Sequence, residues 1–288
     1  MSQPANTFDT YDTKGIREDL SNIIYDISPE ETPLVSAIAK VKASSTFFEW
    51  QVNSLRDAAN NAHIEGSTTS AQAIVPTTRE GNYTQIMKNS IITSGTNDVV
   101  EAAGRTNSEM SYNILREAIV QKLDIEKAIF ENIARVAGNA TTARKLGGLG
   151  AWLKTNTSFN TAGSGANPTG SGGKPDAVYL SAFQMNKALG FSGNNNQRQT
   201  GAVGTVNNNM AIYMTPWGQV TWQPCRENRS RDLYIIEHDK LAIATLRPMK
   251  NEALAKTGDN EHRQIVSEQT LQVRSEASLG GVFDLTTS

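Results

Sequence analysis

Gly15 to Trp50 reads G-I-R-E-D-L-S-N-I-I-Y-D-I-S-P-E-E-T-P-L-V-S-A-I-A-K-V-K-A-S-S-T-F-F-E-W. Ser28-Pro29-Glu30-Glu31 is a helix-start signature: a Ser cap, Pro at the first helical position, and Glu three residues after the cap. Thr32-Pro33 then restarts the chain, because Pro33 has no N–H to continue a helix. The spacing predicts one turn, a corner, and a short helix from Pro33 to about Lys40. Nothing in the stretch resembles a catalytic set. Its dense punctuation describes an arm that follows a defined path over something.

Downstream, Thr46 to Leu55 alternates, with Phe48, Trp50 and Val52 on one face, which is strand periodicity. A second strand-like run covers Asn82 to Thr93. The polar stretch between them is interrupted only by His63, Ile64, Ile74 and Val75, so the pair reads as a projecting hairpin arm. An isolated hairpin is marginal in water and needs a neighbour. Asn107 to Ala137 is the clearest helix, with a capping box at Thr106 and Glu109 and Gly138 as its C-terminal cap. Its apolar stripe is Leu115, Ile119, Leu123, Phe130, Ala134 and Ala137, widened by Ile114, Ala118, Ile125, Ile129, Ile133 and Val136. Glu126 counts among the interrupting charges, and Glu131–Arg135 as a favourable pair four residues apart. Such a helix would be a rod of roughly 45 Å.

Residues 139 to 173 are rich in Gly, Ser, Thr and Asn, anchored only by Gly147 to Trp152. Ala177–Leu180 reads as a strand, and Ser181 with Gln184 as a capping box opening a helix that ends near Gly190. Met210–Met214 and Gln219–Gln223 read as paired strands. Leu233–Glu237, Leu241–Leu246 and, after a polar connector, Arg263–Arg274 complete the strands.

The 288 residues allow one sizeable core, or a core plus a smaller lobe. Net charge is −2, from 27 basic and 29 acidic residues mixed along the chain, without the basic stripe of a dedicated nucleic-acid binder. A single cysteine, Cys225, excludes an intramolecular disulfide framework. Neither a signal peptide nor a run of about 18 apolar residues is visible, so the expectation is synthesis in a reducing cytosol with no membrane partner. The sequons at Asn82, Asn139 and Asn228 are then chance matches.

Chemistry-bearing patterns are sparse. His63-Ile64-Glu65 with Pro224-Cys225 approaches a zinc-deaminase pattern, but position 228 is Asn. The glycines at 163, 165 and 170 lack the strand–loop–helix context of a phosphate loop. His238-Asp239 could orient a general base but more simply marks a solvated strand end. Arg226 could lower the Cys225 pKa, yet a lone thiol beside a turn is more simply a bystander. Trp217 and Trp222 near Arg226, Arg229 and Arg231 read as a packed hairpin rather than a base-stacking site. No catalytic, cofactor-binding or metal-ligating residue emerges.

Two blocks do carry a resemblance. Gly15–Trp50, and Leu246 to Leu271 followed by Gly280-Gly281-Val282-Phe283-Asp284-Leu285, make the chain similar to the major head (capsid) proteins of tailed bacteriophages with the Hong Kong 97 fold. The middle, Gly138 to Arg231, matches in layout only. The resemblance implies an α+β fold: an N-terminal arm (1–45), an extended loop (46–92), a peripheral domain (93–175 and 246–288) with spine helix 107–137, and an axial domain (176–245). It implies a subunit that self-assembles as pentamers and hexamers into an icosahedral head, built in the host cytoplasm, that encloses double-stranded DNA contacted non-specifically. Partners are other copies of itself, a portal and a scaffolding protein. The family-like block begins by Gly15, so a separate scaffolding protein is expected, with removal of a fused scaffolding domain as the alternative. Candidate subunit-interface residues are Pro29, Glu30, Glu31, Pro33, Phe48, Trp50, Arg56, Glu65 and Arg79. Some relatives crosslink through a loop lysine; Gln51 to Met87 contains none, and Lys88 lies at the loop's base. The same fold also builds cellular encapsulating shells, the nearest alternative, ahead of another virion component.

Overall fold

The computed structural model describes residues 31–56, 58–68, 71–100, 102–103, 105, 108–159, 173–189, 212–215 and 218–287. Of the corner expected at Ser28–Pro33, Ser28–Glu30 lie outside these residues, as do the glycines at 163–170. Helix α1 begins at Pro33 but ends at Ala37, short of the expected Lys40. The cause is tertiary: Ala39–Lys42 is strand β1, in parallel register with Ala242–Thr245.

The hairpin is present with a different returning strand. β2 (Phe47–Val52) pairs antiparallel with β3 (Thr78–Tyr83), whereas β4 (Gln85–Ser94) belongs to another sheet. The expected run 82–93 is therefore divided at Thr84. There the Thr84 N–H donates to the Thr46 carbonyl, and buried Asn82 donates to the carbonyls of Gly147 and Leu271. These bonds turn the chain from one sheet into the next.

After α2 (Gly95–Val99), α3 runs from Glu109 to Phe130, shorter at both ends than the expected 107–137. Ser108, not Thr106, is the cap, accepting the Ser111 N–H. Its 22 residues make a rod of about 33 Å. Beyond Glu131 the chain doubles back through a bridge between Val136 and Lys145, with Gly138 at φ +73° in the turn. Gly148 then comes so close that a Cβ there would collide with the Glu131 carbonyl. The expected Glu131–Arg135 helical pair consequently has no helix to sit on. The buried face also differs from the expected stripe: Met110, Gln121, Ile125, Glu126, Ala128, Ile129 and Phe130 face inward, while Leu115 is 67% exposed.

The remaining elements are α4 (Leu149–Trp152), β5 (Thr157–Phe159), β6 (Ala177–Leu180), α5 (Ala182–Leu189), β7 (Ile212–Thr215), β8 (Gly218–Pro224), β9 (Leu233–Ile236), β10 (Leu241–Ala253), β11 (Asn260–Val273) and β12 (Gly280–Phe283). Ser181 caps α5 as expected, but Gln184 donates to the carbonyls of Ser230 and Thr286 instead of closing the box. β10 continues well past Leu246, so the expected polar connector is largely strand. Register shifts between Thr245 and Arg247, and between Arg247 and Lys250, accommodate Pro248.

The strands form three sheets among the described residues: β1-β10-β11-β4, β5-β12-β9-β6-β8-β7, and β2-β3. α3 lies against the four-stranded sheet, where Gln121 donates to the Met87 carbonyl and the Ser267 hydroxyl. One apolar cluster joins α1, α3, α4 and both larger sheets, through Leu34, Ile129, Phe130, Leu149, Tyr179, Tyr234, Leu241 and Leu271. Phe130 sits between Tyr179 and Tyr234, at ring separations of 5.8 and 5.6 Å. The Tyr234 hydroxyl donates to the Phe130 carbonyl, satisfying one of the acceptors left open at the end of α3. A smaller cluster of Val178, Leu180, Ala188 and Val220 lies under α5.

Candidate assembly interface

The root of the hairpin is an aromatic brace. Period-two alternation puts Phe48, Trp50 and Val52 on one face of β2, packed against the main core. Trp50 lies 5.9 Å from Phe48 and 5.5 Å from Trp152. On the other face Phe47 meets Tyr83 at 4.5 Å. Arg135, freed by the early end of α3, donates to the Gly81 carbonyl and lies over the Phe47 and Trp152 rings at 5.5 and 5.9 Å. The Arg79–Glu49 ion pair across the hairpin is 2.6 Å long but solvent-exposed, and such pairs contribute about 1 kcal/mol or less.

Beyond the brace the connection changes character. Leu55, Ile64 and Ile74 are 91%, 85% and 93% exposed, and Val75 is exposed too. A well-anchored base thus carries a tip whose apolar side chains are left exposed by the described residues of this subunit.

A polar knot secures the hairpin's far corner. Buried Glu268 on β11 accepts from the Thr84 hydroxyl at 2.7 Å, from Arg247 at 2.9 Å, and from Arg144. Arg144 also donates to the Thr84 carbonyl at 2.6 Å. Burial works to raise the Glu268 pKa, but the Thr84 hydroxyl and the two arginines outweigh it and hold the carboxyl below its ordinary range. With a depressed folded-state pKa, its contribution is present above the unfolded-state pKa and is lost as pH falls through the folded one. Glu268→Gln is therefore expected to lose about 2–3 kcal/mol at pH 7, between a charged hydrogen bond and a fully buried ion pair. Urea titrations of both proteins should show that difference shrinking below about pH 4; a pH-independent difference would contradict the assignment.

The arm has its own anchor. Thr32 makes no side-chain cap to α1, and Pro33 has no N–H to offer. The next two amides, Leu34 and Val35, donate to the two oxygens of Glu126 on α3 at 2.9 and 2.8 Å. The Cys225 thiol donates to the same carboxylate at 3.7 Å. Burial raises the Glu126 pKa, opposed by the two amides and the thiol. Burial, then the neighbouring Glu126, pushes the Cys225 thiol up to about 12, away from the activation by Arg226 considered above. Beside this junction is a cavity of about 480 Å³ bordered by Glu31, Pro33, Leu123, Phe183 and Arg226.

The sequence-derived interface candidates fall in distinct places. Phe48 and Trp50 stand together in the brace, with Arg79 on the same hairpin. Glu31 and Pro33 stand at the arm junction. Arg56 and Glu65 lie on the exposed connection. Pro29 and Glu30 are outside the described residues. Sequence reasoning missed Asn82, Thr84, Arg135, Arg144 and Glu268, and it counted Glu126 only among the charges that interrupt the apolar stripe of the helix.

The other patterns resolve structurally. His238 opens a short 3-10 turn, where its Nδ1 pairs with Asp176 at 2.7 Å and its Nε2 with the Tyr179 hydroxyl at 2.8 Å. It is thus neither oriented by Asp239 nor a solvated strand end. Trp222 packs on the α5 cluster, Arg229 pairs with Asp232, and Arg231 bonds the Leu285 carbonyl. Asn82 and Asn228 are buried. Among the described residues no three His, Cys, Asp or Glu side chains gather to hold a metal, and no helix is long and apolar enough to cross a membrane.

The fold has counterparts among solved structures. The capsid of a native GTA particle superposes with a TM-score of 0.69 at 11% identity, over 96% of this chain and 98% of that one. A Mycobacterium phage Bobi chain gives 0.59 at 10% identity, over 93% and 95%. The SrpI encapsulin of Synechococcus elongatus PCC 7942, solved as a holo complex, gives 0.57 at 8% identity, over 95% and 94%. Identities this low speak for the fold alone, and they define the class: a mixed α/β fold shared with capsid and encapsulin shell proteins. The chain belongs to the SU10 major capsid protein family, whose profile matches residues 3–286. That is a family of structural capsid proteins, not of enzymes. A major capsid protein of Escherichia phage Phieco32 is 33% identical over 136 residues, which is 47% of this chain and 38% of that protein's length.

Proposed function

We propose that this chain is the major capsid protein of a tailed phage, assembling as pentamers and hexamers into the icosahedral head around double-stranded DNA. The observation that carries this reading is the contrast at the hairpin: a braced root on the subunit's core and a tip whose Leu55, Ile64, Ile74 and Val75 are left uncovered among the described residues. Such a tip gains stability only when a neighbouring copy covers it. Repeated around a closed shell, modest contacts add to a stable particle.

In this reading residues 1–45 are the arm and 46–92 the extended loop. Residues 93–175 and 246–288 form the peripheral domain, with Glu109–Phe130 as a shortened spine helix, and 176–245 the axial domain. β5 and β12 carry the six-stranded sheet beyond the axial bounds. Pro29, Glu30, Glu31, Pro33, Arg56, Glu65 and Arg79 contact neighbouring subunits, while Phe48 and Trp50, packed on the subunit's own core, hold the loop in position to do so. The subunit performs no catalysis and takes no cofactor. Assembly proceeds in the host cytoplasm with a portal and a scaffolding protein, and the finished head holds DNA by non-specific contact alone.

The test is expression of the chain, alone and with its neighbouring genes, followed by negative-stain imaging. Closed shells or capsomer rings support the reading; a persistent monomer overturns it. Likeness to an encapsulin keeps a cargo-enclosing shell in view, and nuclease-protected DNA rather than an enzyme inside native particles separates the two. The loop from Gln51 to Met87 has no lysine, and exposed Lys88 sits in β4 opposite Val266. Boiled particles should therefore run as a single subunit band on an SDS gel; a covalent ladder would contradict this.

A further inference from the structure

We propose that Glu126 is the positioning residue of α1: its carboxylate caps the helix from another element and, with the β1–β10 pairing that follows, fixes where residues 33–42 lie on the subunit. A five-residue helix does not persist on its own in water, because nucleation is unfavourable and few bonds repay it. Its first-turn donors must be satisfied from outside. Both available amides, Leu34 and Val35, go to the one carboxylate, each to a different oxygen. An anion at that helix end is also favoured by the helix dipole.

The arrangement is made for this purpose rather than for packing. Glu126 has no exposed surface, and among the described residues no basic side chain pairs with it. A buried carboxylate without a cation is unfavourable, and a neutral side chain of similar size would fill the volume without that penalty. What the carboxylate alone supplies is a fork of two acceptors for two successive N–H groups. Cys225, whose own N–H donates to the Leu180 carbonyl, brings the six-stranded sheet to the same point. Arm, α3 and sheet therefore meet at one side chain, and moving the arm means breaking its bonds.

The consequence for assembly rests on the capsid reading; the attachment itself does not. Hydrogen exchange of the full chain, followed by mass spectrometry, reads the attachment directly. In Glu126→Ala the peptide covering 33–38 should exchange at least tenfold faster than in the wild type, while 265–273 on β11 stays protected. Glu126→Gln, which keeps the volume and one carbonyl acceptor, should fall between the two. Shell counts by negative stain should drop in the same order. Unchanged exchange at 33–38 in Glu126→Ala overturns the proposal. So does equal acceleration at 265–273 in both variants, which marks Glu126 as a general core residue. A released arm with wild-type shell counts overturns its link to assembly. If the wild type forms no shells, the capsid reading fails, and the exchange rates still decide the attachment.

Discussion

Phe130→Ala is expected to destabilise the unassembled subunit by about 3–5 kcal/mol, the range for emptying a buried aromatic site. Phe130 is 1% exposed, ends α3, and contacts Tyr179 and Tyr234 on two strands of the six-stranded sheet. Removing it leaves a void where the long helix, the arm side and both larger sheets share one cluster. Rigid neighbours on paired strands cannot collapse into that space, which places the loss toward the upper part of the range. Domain stabilities are commonly about 5–15 kcal/mol, so the variant should be marginal and accumulate poorly in soluble form. Urea unfolding of the subunit measures it; a loss below about 1.5 kcal/mol would mean that the core is not shared at this point.

The second large effect is on assembly rather than stability. Replacing residues 58–75 by a short Gly-Ser turn removes Ile64, Ile74 and Val75, all exposed, and leaves the β2–β3 pairing and the aromatic brace in place. Surface changes away from special contacts alter stability by about 0.5 kcal/mol or less, so the subunit's unfolding midpoint should barely move. Shell formation should nevertheless fall at least tenfold, because the loss recurs at every subunit of the particle. A truncated subunit that assembles normally would remove the hairpin tip from the account. A truncated subunit that unfolds would show that the tip belongs to its own core.

The elements that were legible in the sequence are those whose determinants are local. β2 announces itself by alternation of Phe48, Trp50 and Val52, and α5 by the Ser181 cap. The N-terminus of α1 is marked by Pro33. The errors fall where distant chain decides. Ile133, Ala134 and Val136 continue the helical spacing of α3, but the bridge to Lys145 and the approach of Gly148 to the Glu131 carbonyl redirect them. Lys40 reads as helix until Ala242–Thr245 offers it a strand partner.

The site was half legible for the same reason. Aromatic residues at the hairpin root carry a periodic signal, which marks Phe48 and Trp50 as one face of β2, the face that packs on the subunit's own core. Glu126 and Glu268 carry none: each is a charge among other charges, and only the return of the arm or of Thr84 shows why it is buried. Gln121 and Glu126 also broke the apparent stripe of α3 and shifted it toward Leu115, which is exposed.

The central claim is that the tip between Val52 and Thr78 is completed by a neighbouring subunit. A reconstruction of the assembled particle at side-chain resolution tests it most directly. The account predicts Leu55, Ile64, Ile74 and Val75 buried against an adjacent copy, with the β2–β3 root unchanged. A tip left in solvent, or folded back on its own subunit in a closed shell, would contradict it.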